Sequence, residues 1–303
     1  MKSSANAVDE FANIRPFLRW AGSKRLLLKH LIPFIPKTWN KYYEPFLGGG
    51  ALFFFLGPKN AEISDASLPL IETYRAVRKH ETDILKVLKH LRPSRRQFLE
   101  WREYSPRGPV GHAAQFIFLN KACWNGLYRV NSDGIFNVPY GWPKTNFIIN
   151  SENLQRCAKQ LRRQQISIKH QDFEAIERRV QKGDFVFLDP PYVTSHNMNG
   201  FIDWNECLFS WEDQVRLASM ARRLIKKKAN ILITNADHSD VRALYSGFGK
   251  AVFRRFSSLA SDTSRRGTTS EAIFYGGPGY EMGRVARSSS DRGRGYGSCS
   301  RPD

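Results

Sequence analysis

The run Phe185-Val186-Phe187-Leu188 constrains this chain more than any other stretch. Four apolar residues, aromatic or branched, are opened by Gly183-Asp184 and stopped by Pro190-Pro191. A segment this short, ended by two residues without N–H groups, reads as a buried strand. At its end stand a carboxylate, two prolines and a ring, Asp189-Pro190-Pro191-Tyr192. Asp189 and the carbonyl of Pro190 can both accept hydrogen bonds from an exocyclic amine, while Tyr192 offers a stacking face. The arrangement suits a flat amine-bearing ligand. A plain strand followed by a Pro-Pro turn would carry the same four residues, so the rest of the chain has to decide.

Upstream, Tyr42-Tyr43-Glu44-Pro45-Phe46 reads as a strand, Leu47-Gly48-Gly49-Gly50 as a tight turn and Ala51 as the start of a helix. Strand, glycine turn and helix N-terminus form the Rossmann-type arrangement, in which a cofactor approaches the backbone closely. Three adjacent glycines do not match the dinucleotide spacing, and the turn suits a cofactor without a pyrophosphate. A second strand, Ala61–Ser64, ends in Asp65, about 15 residues after the turn. An acid at that place binds ribose hydroxyls in such folds; it also suits the N-cap of the next helix, Ser67–Lys79. The earlier segment Pro16–Lys24 is short and apolar and ends in a small-residue turn with Lys24. Read singly, Trp20 there is core and Lys24 a surface charge.

From residue 80 to 160 the strand–helix alternation stops. His80–Leu91, Arg95–Tyr104 and Ala113–Cys123 read as helices. The runs Trp124–Asn131 and Ile135–Val138 then flank Ser132-Asp133-Gly134, a hairpin signal. In a basic protein an aromatic and amide-rich hairpin suits insertion into a nucleic-acid groove. Arg129 could read guanine with its fork and Asn125 could read adenine. Lys121, Arg129 and Lys144 could contact phosphates. An ordinary surface hairpin with a solvated arginine remains open at this point.

The alternation resumes with a helix over Asn153–Arg163 and a strand over Ile166–His170. Asp172-Phe173 lies just past that strand, and a helix is expected over Glu174–Gln181. The loop Val193–Asn205 has the length of a mobile lid. Ser210 and Asp213 form a capping box for a helix from Trp211 to Lys228. Its apolar face is Leu217, Met220, Ala221, Leu224 and Ile225. A strand over Asn230–Thr234, a short helix near Ser239–Tyr245 and strands over Ala251–Phe256 and Glu271–Tyr275 complete the series. The link Ser261–Thr269 carries Arg265-Arg266-Gly267, placed to rest against a phosphate backbone. The tail has five arginines against two aspartates from Arg284 onward, and such a composition forms no core. The expected organisation is a leader (1–14), a cofactor-binding part (15–79), a target-recognition domain (80–160), a second catalytic part (161–280) and a tail (281–303).

The net charge of +19 in 303 residues points to a polyanion such as nucleic acid. The apolar runs are far too short to span a bilayer, and the polar N-terminus lacks the apolar core of a signal peptide. Four cysteines and seven histidines make no ligand pattern, so reduced thiols, a cytosolic location and no metal are expected.

Together these motifs resemble the adenine-N6 DNA methyltransferases of the DNA adenine methylase (Dam) type, the D12 class. The resemblance spans about residues 15 to 278. It rests on Phe17–Lys24, Glu44–Gly50, Leu119-Asn120-Lys121, Trp124–Arg129, Phe136–Gly141 and Asp189-Pro190-Pro191-Tyr192, in that order. It implies an α/β fold, a seven-stranded, Rossmann-like methyltransferase sheet with an inserted, mostly helical target-recognition domain carrying a β-hairpin. It implies S-adenosylmethionine as methyl donor, held by Trp20, Lys24, Phe46, Gly48, Gly50, Asp65, Asp172, Phe173 and Asp189. Asp189, Pro190 and Tyr192 become the catalytic residues around a flipped adenine. Trp124 matches an aromatic wedge, Asn125 an orphaned-base or phosphate contact and Arg129 the guanine reader, with Lys121, Lys144, Arg265 and Arg266 on the backbone. The implied partner is double-stranded DNA, commonly at GATC, with a monomer acting alone or beside a cognate restriction endonuclease in a bacterial or phage cytoplasm, on the nucleoid. Trp142-Pro143 departs from the Arg-Tyr expected there, which leaves the outer-base contacts open. Cytosine N4 is the alternative target, since the motif recognises an amine and not a ring. A catalytically inactive DNA-binding protein on the same scaffold is the other alternative, against which the intact motifs argue.

Overall fold

The computed structural model describes residues 14–20, 27–131, 134–145, 148–193, 209–256 and 268–281. Lys24, most of the expected lid, Arg265-Arg266 and the tail lie outside the described residues. One sheet holds seven strands: β1 Tyr42–Glu44, β2 Asn60–Asp65, β3 Gln165–His170, β4 Phe185–Leu188, β5 Asn230–Ala236, β6 Gly249–Phe256 and β7 Thr268–Gly276. Their order is β3-β2-β1-β4-β5-β7-β6. The first five run parallel, and β7 is antiparallel to both β5 and β6. This is the α/β methyltransferase sheet that the motifs imply.

The all-apolar β4 is explained by its place in the middle of the sheet. Successive side chains point to opposite faces, and both faces are covered. Phe185 and Phe187 join Tyr42, Ala61 and Ile63 in one core, and Val186 and Leu188 join Tyr43, Ile231, Ile233 and Leu217 in the other. The strand order reverses between β1 and β4, so the cleft that such sheets use for ligands opens at the carboxyl ends of these two strands.

The helices follow from local signals. The helix Trp211–Lys226 starts on the reciprocal bonds of Ser210 and Asp213 and buries Leu217, Met220, Ala221 and Leu224. The helix Leu68–Leu88 is interrupted at His80, whose φ of −133° and ψ of 28° are not helical. Arg75 and Arg78 from this helix donate to the carbonyls of Ile168 and Ile166, closing the outer edge of β3 against further strand pairing. The helix Gly108–Ala122 begins earlier than the apolar pattern suggests, because Pro109 is favourable in a first helical turn. It is buried on most sides and packs against Leu68–Leu88.

Two expectations change. The helix expected over Glu174–Gln181 is a 3-10 turn, Phe173–Ile176, capped by Asp172; Glu174 and Glu177 bond Arg216 and Arg223, while Phe173, Ile176 and Val180 are buried. The expected hairpin is a chain reversal held by isolated antiparallel bridges, Val130 with Phe136 and Cys123 with Tyr140. The backbone pairing is short, Asn131 N–H donating to the Ile135 carbonyl and Asn137 N–H to the Arg129 carbonyl. Side chains add to it, with Asn131 Oδ1 accepting from Ile135 N–H and Arg129 donating to Asn137.

Candidate active site

The glycine turn is held from three sides. Gly48 and Gly50 have φ of +45° and +66°, where L side chains are strained. A Cβ on Gly48 would stand 2.7 Å from Trp20 Cδ1, so the indole lies directly on the turn. Tyr74 Oη donates to the Gly48 carbonyl at 3.1 Å. Gly48 N–H donates to Asp65 Oδ2 and Ser67 N–H to Asp65 Oδ1, each at 3.0 Å. Asp65 therefore ties the ends of β1 and β2 together. Burial raises its pKa, and the backbone N–H groups oppose that rise.

Glu44, which motif reading left unassigned, is buried at the end of β1. Tyr42 Oη donates to its Oε2 at 2.7 Å. Burial is the first cause pushing this carboxyl up to about 8, and the negative charges of Asp189 and Asp65 add to it. An acid in the last strand position before a glycine turn was the available signal, but its burial was not visible. The unfolded carboxyl releases its proton near the ordinary 4.5. Between there and about pH 8 the folded state thus binds more protons, and stability falls as pH rises. Glu44→Gln is expected to flatten that fall, read as urea midpoints at pH 5, 6.5 and 8; an unchanged slope would assign the proton to another group.

Opposite the turn, Asp189 leaves β4 half-buried. Thr234 Oγ1, from β5, donates to Asp189 Oδ1 at 2.5 Å. Tyr192 Oη donates to Glu271 Oε2, from β7, at 3.0 Å. Burial, with Asp189 and Glu271 nearby, holds the Tyr192 phenol well above its ordinary pKa, so it stays a neutral donor. The Pro191 carbonyl accepts from Gln214 Nε2 at 3.4 Å, and Gln214 Oε1 accepts from Asn235 Nδ2 at 3.1 Å. The Asp-Pro-Pro-Tyr stretch is thus held by neighbouring strands and a helix. Motif reading missed Thr234 and Glu271, because nothing local in β5 or β7 points to β4. Thr234→Val is expected to lower single-turnover transfer by about 10²-fold through a misplaced carboxylate. Ligand dissociation constants should hold and Thr234→Ser should restore the rate; a change in binding alone would remove the positioning role.

Of the remaining expected residues, Phe46 stacks on Phe173 with ring centres 5.3 Å apart and Phe209 edge-on to it. Asp172 is exposed and accepts from Arg216 at 3.0 Å. Trp20, Phe46, Gly48, Gly50, Asp65, Phe173, Asp189, Pro190 and Tyr192 gather near the carboxyl ends of the parallel strands, while Asp172 sits on the rim. Asn120, fully buried, joins this region to the segment Trp124–Arg129. It accepts from Arg19 N–H at 2.9 Å and donates to the carbonyls of Arg19 and Gly126 at 2.7 and 3.0 Å. Trp124 and Asn125 form a tight turn in which Asn125 is exposed at φ +53°. Arg129 Nε donates to Asn137 Oδ1 at 2.7 Å and Nη2 to its carbonyl at 3.3 Å. Lys121 lies in the last turn of Gly108–Ala122, and Lys144 is exposed beyond the reversal.

A switch point between β1 and β4 of a seven-stranded α/β sheet, with a glycine turn after one strand and an Asp-Pro-Pro-Tyr stretch after the other, is the architecture of Rossmann-like methyltransferases. The family model described as D12 class N6 adenine-specific DNA methyltransferase matches residues 20–258, and the chain belongs to that family. It is 35% identical over 269 residues to the Type II methyltransferase M1.LlaDCHI of Lactococcus lactis subsp. cremoris, covering 86% of this chain and 95% of that protein. It is also 35% identical over 283 residues to the Type II methyltransferase M.MjaIII of Methanocaldococcus jannaschii, covering 84% and 96%. A DNA adenine methylase of Haemophilus influenzae shares 29% over 275 residues, covering 86% and 92%. Among the described residues no helix is long and apolar enough to cross a membrane.

Proposed function

We propose that this protein transfers the methyl group of S-adenosylmethionine to N6 of an adenine flipped out of duplex DNA, within GATC. The observation that carries the reading is the Asp189 carboxylate, oriented by Thr234 between the glycine turn and the Tyr192 ring. The cofactor site fits on its own terms. The turn leaves no room for a Cβ at Gly48, and the buried Glu44 carboxyl supplies a group that a cationic ligand would draw into its charged form. Trp20, Lys24, Phe46, Gly48, Gly50, Asp65, Asp172, Phe173 and Asp189 would hold the cofactor, whose sulfonium supplies an electrophilic methyl.

The chain's own residues then handle the base. Tyr192 stacks on the flipped adenine, its hydroxyl fixed by Glu271. Asp189 and the Pro190 carbonyl accept the two N6–H bonds and draw the nitrogen toward sp³, so that its lone pair is free to attack. Catalysis on this reading is orientation of the two reactants, without a covalent enzyme intermediate. Trp124, Asn125 and Arg129 read the duplex, and Lys121, Lys144, Arg265 and Arg266 neutralise phosphates. A monomer working in the cytoplasm, alone or beside a restriction endonuclease, fits a short recognition site. Transfer of labelled methyl to a plasmid, followed by single-base mapping of the modified adenine, tests the proposal. Modification at GATC is expected; methylation of cytosine N4, or of no base, would overturn it.

A further inference from the structure

Trp142 is the described large hydrophobic residue most open to solvent, with 74% of its surface exposed. Its backbone is also in the wrong place for its type. It has φ of +48°, in the left-handed region that a bulky L residue rarely adopts. It also precedes Pro143, a neighbour that pushes the preceding residue toward extended backbone. Conformations of this kind persist only where the surroundings over-determine them, and they cluster at functional sites.

The surroundings here do over-determine it. Trp124 N–H donates to the Pro139 carbonyl at 2.9 Å, and Gly141 N–H donates to the Ala122 carbonyl at 2.8 Å. Cys123 and Tyr140 form an antiparallel bridge, and the Tyr140 hydroxyl donates to the Pro93 carbonyl. A Cβ on Gly141 would lie 2.2 Å from the Cys123 carbonyl oxygen and 2.6 Å from Trp124 N. The backbone one residue before Trp142 therefore lies directly on the backbone that presents Trp124 and Asn125. The Tyr140 ring meets the indole edge-on at 5.1 Å. A strained, rigid platform holds a bare indole beside the recognition turn of a protein whose net charge is +19.

We propose that Trp142 is a further duplex-binding residue. Its indole packs on deoxyribose and base edges in the arm of DNA that flanks the target adenine, reading shape where an arginine would supply charge. This rests on the proposed DNA-reading role of the Trp124–Arg129 segment. The occupant is DNA and not a second copy of the chain, because the platform is continuous with that segment and the surplus charge is positive.

The test uses the full chain, Trp142→Ala and Trp142→Asn, with fluorescence anisotropy on duplexes carrying long or trimmed flanking arms. Both variants are expected to bind the long duplex at least about 5-fold more weakly, the lower end of what a base-stacking aromatic contributes, and the difference should shrink on the trimmed duplex. Trp142→Asn, a residue tolerant of the left-handed region, should melt at or above the parent temperature, which separates lost contact from lost folding. Photocrosslinking of 5-iodouracil in the flanking arm should label Trp142. Unchanged affinity in both variants, while the parent binds and methylates DNA, would overturn the inference and leave the proposed function standing. So would loss of self-association with DNA affinity intact. A parent that neither binds duplex nor methylates adenine would overturn the proposed function as well.

Discussion

Asp189→Ala is expected to lower single-turnover methyl transfer by about 10³-fold, the scale for removing a preorganised group from a reacting centre. The substitution deletes the side chain that Thr234 orients at 2.5 Å and with it, on the proposed function, one of the two acceptors for the N6 amine. The Pro190 carbonyl remains, but one acceptor cannot direct both N–H bonds. Non-specific affinity for DNA should be nearly unaffected, because it comes from cations on phosphates and not from a carboxylate. Rapid-quench kinetics on a single-site duplex, with filter binding in parallel, separates the two. Retention of more than a few per cent of the parent rate would remove Asp189 from the chemistry.

Arg129→Ala is expected to relax discrimination at one guanine by roughly 5- to 150-fold, the range for a lost bidentate base contact. The structure supports a reading role over a floating charge. Asn137 takes the Nε–H and one Nη2 hydrogen, which fixes the guanidinium plane and leaves three of its five N–H bonds for a base edge. Asn137→Ala should reproduce part of the loss, since the fork would then have to be ordered on binding. The measurement is kcat/KM on duplexes substituted at each position of the site. A uniform loss across all of them would make Arg129 a phosphate contact instead.

Much of the fold was legible locally. The run Phe185–Leu188 could only be a buried strand, and the sheet shows why every position is apolar, with alternate residues facing two cores. Ser210 and Asp213 marked a helix start because a capping box is made by residues three apart. Period and punctuation failed where local energy was weak. Residues 174 to 181 have helical composition, but Glu174 and Glu177 pair with Arg216 and Arg223, and Arg179 pairs with Glu62. The runs around Ser132-Asp133-Gly134 reverse as a hairpin does, yet their backbone pairing stops at isolated bridges, with side-chain bonds of Asn131 and Asn137 beside it.

The candidate site divides in the same way. The sequence by itself determined the parts whose chemistry is contiguous: the glycine turn, the carboxylate at the end of β2, and the stretch Asp189-Pro190-Pro191-Tyr192. Only the tertiary structure decided what holds them. Thr234 and Glu271 reach Asp189 and Tyr192 across strand pairing, at separations of 45 and 79 residues. Glu44 gains its raised pKa from burial beside two carboxylates on other strands. Trp142 departs from the family pattern in the sequence, but its exposure and its φ are visible only in the structure. Hydrogen-bond partners, burial and strain are properties of neighbours in space, and a motif records neighbours along the chain.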